Sequence, residues 1–252
     1  MRIAVSFLLQ LSVAAIVVAQ PALQSKTGEL GVVPGAYGPR VRDARGHSTP
    51  LNIREDSRLT SLVSLSGGWL AAGARPVGDR TELYLRMLDR GGRKRLPVPG
   101  GQSGAIRQQP VLVTSEDRLD TLLWLEGDDP GSLSVRASRW LGITWSVPTV
   151  LSNPGPGSQL ALEAVRLADG STLAVWSAFD GEDDEILFSI GVDGDWTAPS
   201  PLSDNLVPDI LPTVAPTDGG ALLAWNQYHD GEYRVVTARL REGRWVPHTT
   251  ES

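Results

Sequence analysis

Six of the eight tryptophans fall into two evenly spaced series, and this spacing constrains the fold more than any other feature of the chain. Trp124, Trp176 and Trp225 stand 52 and 49 residues apart, and Gly73 occupies the corresponding place 51 residues earlier. Trp145, Trp196 and Trp245 form the second series, each 20 or 21 residues behind its partner in the first. Between these markers lie short apolar runs separated by Gly, Asp-Gly and acidic turns, the punctuation of antiparallel strands. The copy from Leu160 to Pro201 is the clearest: strand, Asp-Gly turn, strand ending at Trp176, acidic turn, strand, Gly turn, and a short strand opened by Trp196.

A period near 50 in a β-rich chain means propeller blades or a β-solenoid. Four strands per unit is too much for one solenoid coil, so the spacing predicts an all-β propeller of four four-stranded blades. The blades are placed at about residues 58–100, 107–152, 159–203 and 209–249. A lone blade leaves both faces exposed, and a large aromatic at a fixed position fills the wedge between neighbours. Trp124, Trp145, Trp176, Trp196, Trp225 and Trp245 are therefore assigned to packing between blades. Residues 36–53 repeat the spacing of the outer half of blade 1 and are read as a partial N-terminal blade. The ring then either closes irregularly or stays open and pairs with another chain through its exposed edge.

The first residues read as an export signal: Arg2, then an apolar stretch from Ile3, then Val17 and Ala19 before a cut expected after Ala19. The domain division expected is a signal peptide over 1–19, a flexible leader over 20–35 and one propeller domain over 36–252. An uncleaved N-terminal anchor is the alternative, because the stretch is near the lower limit for spanning. The location expected is periplasmic or secreted. With no cysteine the chain has no disulfide, no thiol chemistry and no lipid-modified Cys, so its stability rests on its core. A dispersed net charge of −6 argues against nucleic acid and against anionic lipid as partners.

Ser138-Arg-Trp-Leu-Gly142-Ile-Thr144-Trp145 resembles the Asp-box (BNR) turn of sialidase-type propellers, with Trp140 standing where the Asp belongs. Ser189 to Trp196 keeps the frame, and Ala238 to Trp245 keeps part of it. The resemblance implies the propeller fold over roughly residues 58 to 248. It also implies, for a catalytic member, an arginine triad, a Tyr–Glu nucleophile pair and an Asp acid/base. Arg58 and Arg107 open inner strands where such arginines would line a channel, but Gln159 and Asp209 hold the matching places in blades 3 and 4. No triad can be assembled.

The remaining constellations are modest. The acidic run Asp180, Glu182, Asp183, Asp184, Glu185 lacks the alternating spacing of a Ca²⁺ loop and reads as a solvated hairpin tip. The histidines His47, His229 and His248 are too scattered for a metal, so no metal and no cofactor is expected. Candidate ligand contacts are Arg58, Arg107, Gln108, Asp209, Tyr228 and His229, all at inner-strand starts or in the second turn of blade 4. The function expected is an exported, non-catalytic module that binds a glycan or a protein. A glycan-active hydrolase and a structural subunit that self-associates through an open edge stay as alternatives.

Overall fold

The computed structural model describes residues 57–89, 92–101 and 104–247, and within residues 1–56 it describes five short strands. The signal segment and the cleavage point expected at Ala19 lie outside the described residues. The chain divides into two units, residues 1–52 and 53–252. In the first, β1 (Gln24–Ser25) pairs with β2 (Gly28–Glu29). A three-stranded antiparallel sheet follows, β3 (Gly31–Val33), β4 (Arg40–Arg42) and β5 (Ser48–Pro50), joined in sequence order. Its last two strands fall within the segment read as a partial blade.

The second unit is four antiparallel sheets in sequence order, and no helix is present among the described residues. Blade 1 is β6 (Arg58–Leu65), β7 (Gly68–Val77), β8 (Arg80–Asp89) and β9 (Gly92–Leu96). Blade 2 is β10 (Ile106–Ser115), β11 (Arg118–Gly127), β12 (Ser134–Arg139) and β13 (Thr149–Ser152). Blade 3 is β14 (Gln159–Arg166), β15 (Thr172–Phe179), β16 (Asp184–Val192), β17 (Asp195–Trp196) and the short β18 (Ser200–Pro201), which also pairs with β16. Blade 4 is β19 (Asp209–Thr217), β20 (Gly220–His229), β21 (Glu232–Arg241) and β22 (Arg244–Pro247). Tight turns use the residues that tolerate positive φ, as at Asp193-Gly194, Asp230-Gly231 and Glu242-Gly243.

Strand alternation sends successive side chains to opposite faces, and each blade of the middle pair buries both. Leu122 and Trp124 face blade 1 with Leu70, Ala72, Leu83 and Leu85, while Leu123 and Leu125 face blade 3 with Ala174, Trp176 and Ala178. Leu173, Val175 and Ile186 meet Ala221, Leu223 and Trp225 of blade 4. Each core is thus an interface between consecutive blades, and each tryptophan of the two series points toward the preceding blade. Trp145, in the turn before β13, and Trp196 and Trp245, on the outer strands β17 and β22, join the same three interfaces.

The Asp-box frame survives as a hydroxyl clamp. In blade 2, Ser138 Oγ donates to the Ser146 carbonyl at 2.8 Å and the Arg139 N–H donates to Ser146 Oγ at 3.0 Å. Blade 3 repeats both bonds with Ser189 and Thr197, at 2.8 and 3.0 Å. Blade 4 has Ala238 and Val246 in these places and so loses both partners together.

Blade 1 lacks the first tryptophan and compensates with a tyrosine. A Cβ built on Gly73 would lie 2.4 Å from Tyr84 Oη and 2.1 Å from the Arg58 carbonyl, so the Tyr84 ring occupies the space above the glycine. The Tyr84 hydroxyl is buried with no hydrogen-bond partner, and that burial pushes its proton affinity up. Tyr84→Phe is therefore expected to raise unfolding stability by about 1 kcal/mol, read as a shift in the urea midpoint at constant slope.

Candidate functional site

Because strands alternate in direction, all four inner strands begin at one rim, where the turns between second and third strands also lie. Arg58, Arg107, Gln159 and Asp209 open the inner strands there. Two of these four are engaged in one recurring task. The indole N–H of Trp176 donates to Gln159 Oε1 at 2.6 Å, and that of Trp225 donates to Asp209 Oδ1 at 2.7 Å. In blade 2 the same position is Arg107, which has no acceptor to offer. There the indole of Trp124 turns to Glu126 Oε2, at 2.9 Å on its own strand.

Glu126 also resolves the charge that Arg107 brings in. Its carboxylate meets Arg107 Nε at 2.9 Å and Arg136 Nε at 3.1 Å, and it is wholly buried while the two arginine side chains are 11% and 17% exposed. Arg107 lies over the Trp124 ring, 5.2 Å from the centroid, and donates to the Pro99 carbonyl at 2.9 Å. Burial lowers the proton affinity of Arg107, and Glu126 opposes that shift. Sequence reasoning missed Glu126. The available signal was a cation standing where the sibling blades carry an acceptor.

The other candidates are dispersed. Arg58 is exposed, Gln108 is half-buried and paired in register with Leu125, and His229 is exposed beside Asp230 at 3.1 Å. Tyr228 makes an edge-to-face contact with Tyr233, ring centres 5.2 Å apart, on the face of blade 4 turned away from blade 3. The structure does not gather these four into one site.

A second feature of the inner strands had no sequence signal. Gln109, Ala161 and Leu211 each stand two residues after the rim position and each has a positive φ, 49°, 50° and 55°. All three fall where the pairing with the second strand slips by a residue. These are bulges in equivalent places, built from residues for which this conformation is costly. They stitch blades together: Thr60 Oγ1 donates to the Pro110 carbonyl at 2.8 Å, and the Leu162 N–H donates to Gln109 Oε1 at 3.3 Å.

The open chemistry at this rim lies between blades 3 and 4. Asp183 and Glu185 are buried at the start of β16, next to the loop that leads into β19. Glu185 Oε1 accepts the Asn205 N–H at 2.7 Å, and Asn205 Nδ2 donates to Asp209. Both carboxylate oxygens of Asp183 and Oε2 of Glu185 have no hydrogen-bond partner. Burial pushes the proton affinity of both carboxyls up, reinforced for Asp183 by Asp180, Asp209, Glu182 and Asp184; for Glu185 the Ser203 hydroxyl and the Asn205 N–H oppose the shift, and Asp209 and Asp183 add to it. Asp180 is the opposite case. Its carboxylate accepts the Glu182 and Asp183 N–H groups, which holds it below the ordinary range. No group of three metal-ligating side chains is present among the described residues.

Glu163, on the inner strand just past the bulge at Ala161, is a further carboxyl raised by burial, to about 7. Its folded value exceeds its unfolded one, so the folded state holds the proton more tightly and stability falls as pH rises between about 4.5 and 7. Glu163→Gln is expected to match the parent near pH 4, to exceed it above pH 7, and to flatten the slope between. Denaturant midpoints collected across that range measure this directly.

No protein-family model matches the sequence, and no curated protein matches it. Among solved structures, the endo-arabinase from Bacteroides thetaiotaomicron VPI-5482 superposes with a TM-score of 0.55 at 14% identity, covering 88% of this chain and 93% of that one. A thermostable family-43 glycoside hydrolase gives 0.58 at 9% identity, with 91% of each chain covered. The sialidase of Trypanosoma rangeli gives 0.56 at 10% identity over 82% of this chain and 40% of that one. At these identities the likeness speaks to fold alone, and the fold it shows is the β-propeller, shared with a sialidase as the Asp-box turns suggested.

Proposed function

We propose that this protein is an exported glycan-binding propeller that holds its ligand at the inner-strand rim without cleaving it. The observation that carries this reading is the pair of buried carboxylates, Asp183 and Glu185, whose three oxygens lack a donor. A glycan supplies a row of neutral O–H donors, which satisfies such acceptors without importing charge. The ligand would enter between the Asp180–Asp183 turn and the loop around Asn205. Glycosidic hydrolysis requires two carboxyl groups free to act on either side of the bond. Asp183 and Glu185 stand two residues apart at the start of one strand and so approach a ligand from one side, while the other buried rim carboxylates are committed, Asp209 to Trp225 and Asn205 and Glu126 to two arginines and Trp124.

The structural neighbours named as an endo-arabinase, a family-43 glycoside hydrolase and a sialidase support a glycan as the ligand class. A second reading, hydrolysis, draws on one specific observation: the raised proton affinity of Glu185, the property a general acid needs. The test is binding on a printed glycan array, followed by incubation of the hits with the protein and analysis for reducing ends. Binding with intact ligand supports the proposal. Sugar release that disappears in Glu185→Gln would establish the hydrolase instead.

A further inference from the structure

The turn between the third and fourth strands of blade 2 differs from its siblings in a way that the ligand rim does not explain. In blade 3 this turn is Asp193-Gly194-Asp195, and in blade 4 it is Glu242-Gly243-Arg244. Both are short and charged. In blade 2 it runs from Trp140 to Pro148, and no charged residue occurs from Trp140 to Leu162. Its aliphatic side chains point outward: Leu141 is 59% exposed, Ile143 85% and Val147 87%. Trp140 and Trp145 form the base, in edge-to-face contact at 5.0 Å, with Trp145 anchored by its indole N–H on the Pro97 carbonyl at 2.7 Å. Replacement of the Asp-box aspartate by Trp140 thus converts a polar turn into a rigid apolar protrusion.

We infer that this protrusion is a membrane-docking element that inserts into the headgroup and upper acyl region of a phospholipid bilayer. Three observations select this occupant. The element is convex, so it needs a soft receiving phase rather than a flat protein surface. Its tryptophans are packed on each other rather than presenting open faces, which disfavours sugar stacking, whereas an indole at the base of an aliphatic tip matches the interfacial zone of a bilayer. The neighbouring edge strand β9 reads Gly-Arg-Lys-Arg-Leu, and its Lys94 and Arg95 are exposed. Lys94 pairs in register with Met87, whose side chain packs in the core between blades 1 and 2, so Lys94 shares the face on which Trp145 rests. Of the acids on this rim, Asp193 pairs with Arg139 at 3.0 Å and Glu116 with Arg118 at 3.1 Å, while Asp117 and Asp195 are exposed. Lys94 thus places one cation beside the base of the tip, where a phosphate headgroup would meet it. No described helix is long and apolar enough to cross a membrane. Strand alternation places this turn at the rim opposite the inner-strand starts, which leaves the ligand rim facing away from the lipid.

The test is flotation of the protein with vesicles of phosphatidylcholine and phosphatidylglycerol in a 4:1 ratio, beside vesicles of phosphatidylcholine alone. The parent is expected to float with the mixed vesicles, and dibrominated acyl chains are expected to quench its tryptophan emission. Ile143→Ser/Val147→Ser alters only exposed side chains and is expected to lower the partition coefficient by about tenfold or more. Lys94→Glu is expected to lower partition into the mixed vesicles by severalfold. Parent protein that stays at the bottom of the gradient overturns the inference. So does flotation unchanged in the aliphatic double variant, or self-association in solution that this variant abolishes, which would make the occupant a second copy.

Discussion

Glu126→Ala is expected to lower the unfolding free energy by about 3–5 kcal/mol, among the largest losses available from one side chain outside the aromatic core. The substitution strands two guanidinium groups, Arg107 and Arg136, in an interior where each is mostly buried, and it also deprives the Trp124 indole of its acceptor. The sibling blades define the rescue. Gln159 accepts the indole of Trp176 from the position that Arg107 fills in blade 2. Arg107→Gln combined with Glu126→Ala removes one stranded cation and restores an acceptor in the place where blade 3 has one. The double variant is expected to recover about half of the loss, although Arg136 remains unpaired. Denaturant unfolding of the parent, both single variants and the double gives the coupling energy between the two positions. A coupling near zero would show that blade 2 does not use the clamp described here.

Trp176→Ala is expected to cost about 3–5 kcal/mol, and Trp176→Phe about half of that. The ring is fully buried between blades 2 and 3, beside Leu123, Leu125 and Val135. The Phe variant keeps most of the apolar area. It leaves the Gln159 side chain, itself buried, with Ser152 Oγ as its remaining donor at 2.9 Å. Loss of cooperativity in the Ala variant, with blades 1 and 2 unfolding apart from 3 and 4, is the expected signature of a cut through an interface in a repeat architecture.

The blade architecture was legible because its marker is unusual. Tryptophan is bulky and uncommon, so a position that keeps it every 50 residues records a wedge of constant size. The strand boundaries followed from turn chemistry, as at Asp193-Gly194, where the residues that tolerate positive φ announce themselves. The rim was harder to read. Arg107, Gln159 and Asp209 drew attention because they differ between equivalent places, and the difference turned out to concern which group accepts an indole proton. That depends on side-chain reach across two strands, a distance no linear spacing encodes. The bulges at Gln109, Ala161 and Leu211 left no trace in the sequence, since none of the three is a residue that favours a left-handed backbone. Asp183 and Glu185 sat inside a run of acids that reads as a solvated tip. Only the fold separates Asp180, exposed and capped by backbone N–H groups, from two neighbours that are buried without donors.

The blade 2 turn shows the same limit from the other side. The mismatch of Trp140 with the Asp-box frame was visible as a departure, but its consequence needed exposure values. Leu141, Ile143 and Val147 project into solvent while Trp145 stays packed, so the apolar residues divide into a base and a tip.

The central claim is that Asp183 and Glu185 receive a neutral, hydroxyl-rich ligand and do no chemistry on it. The most direct measurement is calorimetric titration of the parent and of Asp183→Asn/Glu185→Gln with the array-selected oligosaccharide, with the sugar recovered and examined for cleavage. Saturable binding to the parent, intact sugar afterwards and at least about tenfold weaker binding to the double variant is the predicted result. Equal affinity in parent and variant, or cleaved sugar from the parent alone, would contradict it.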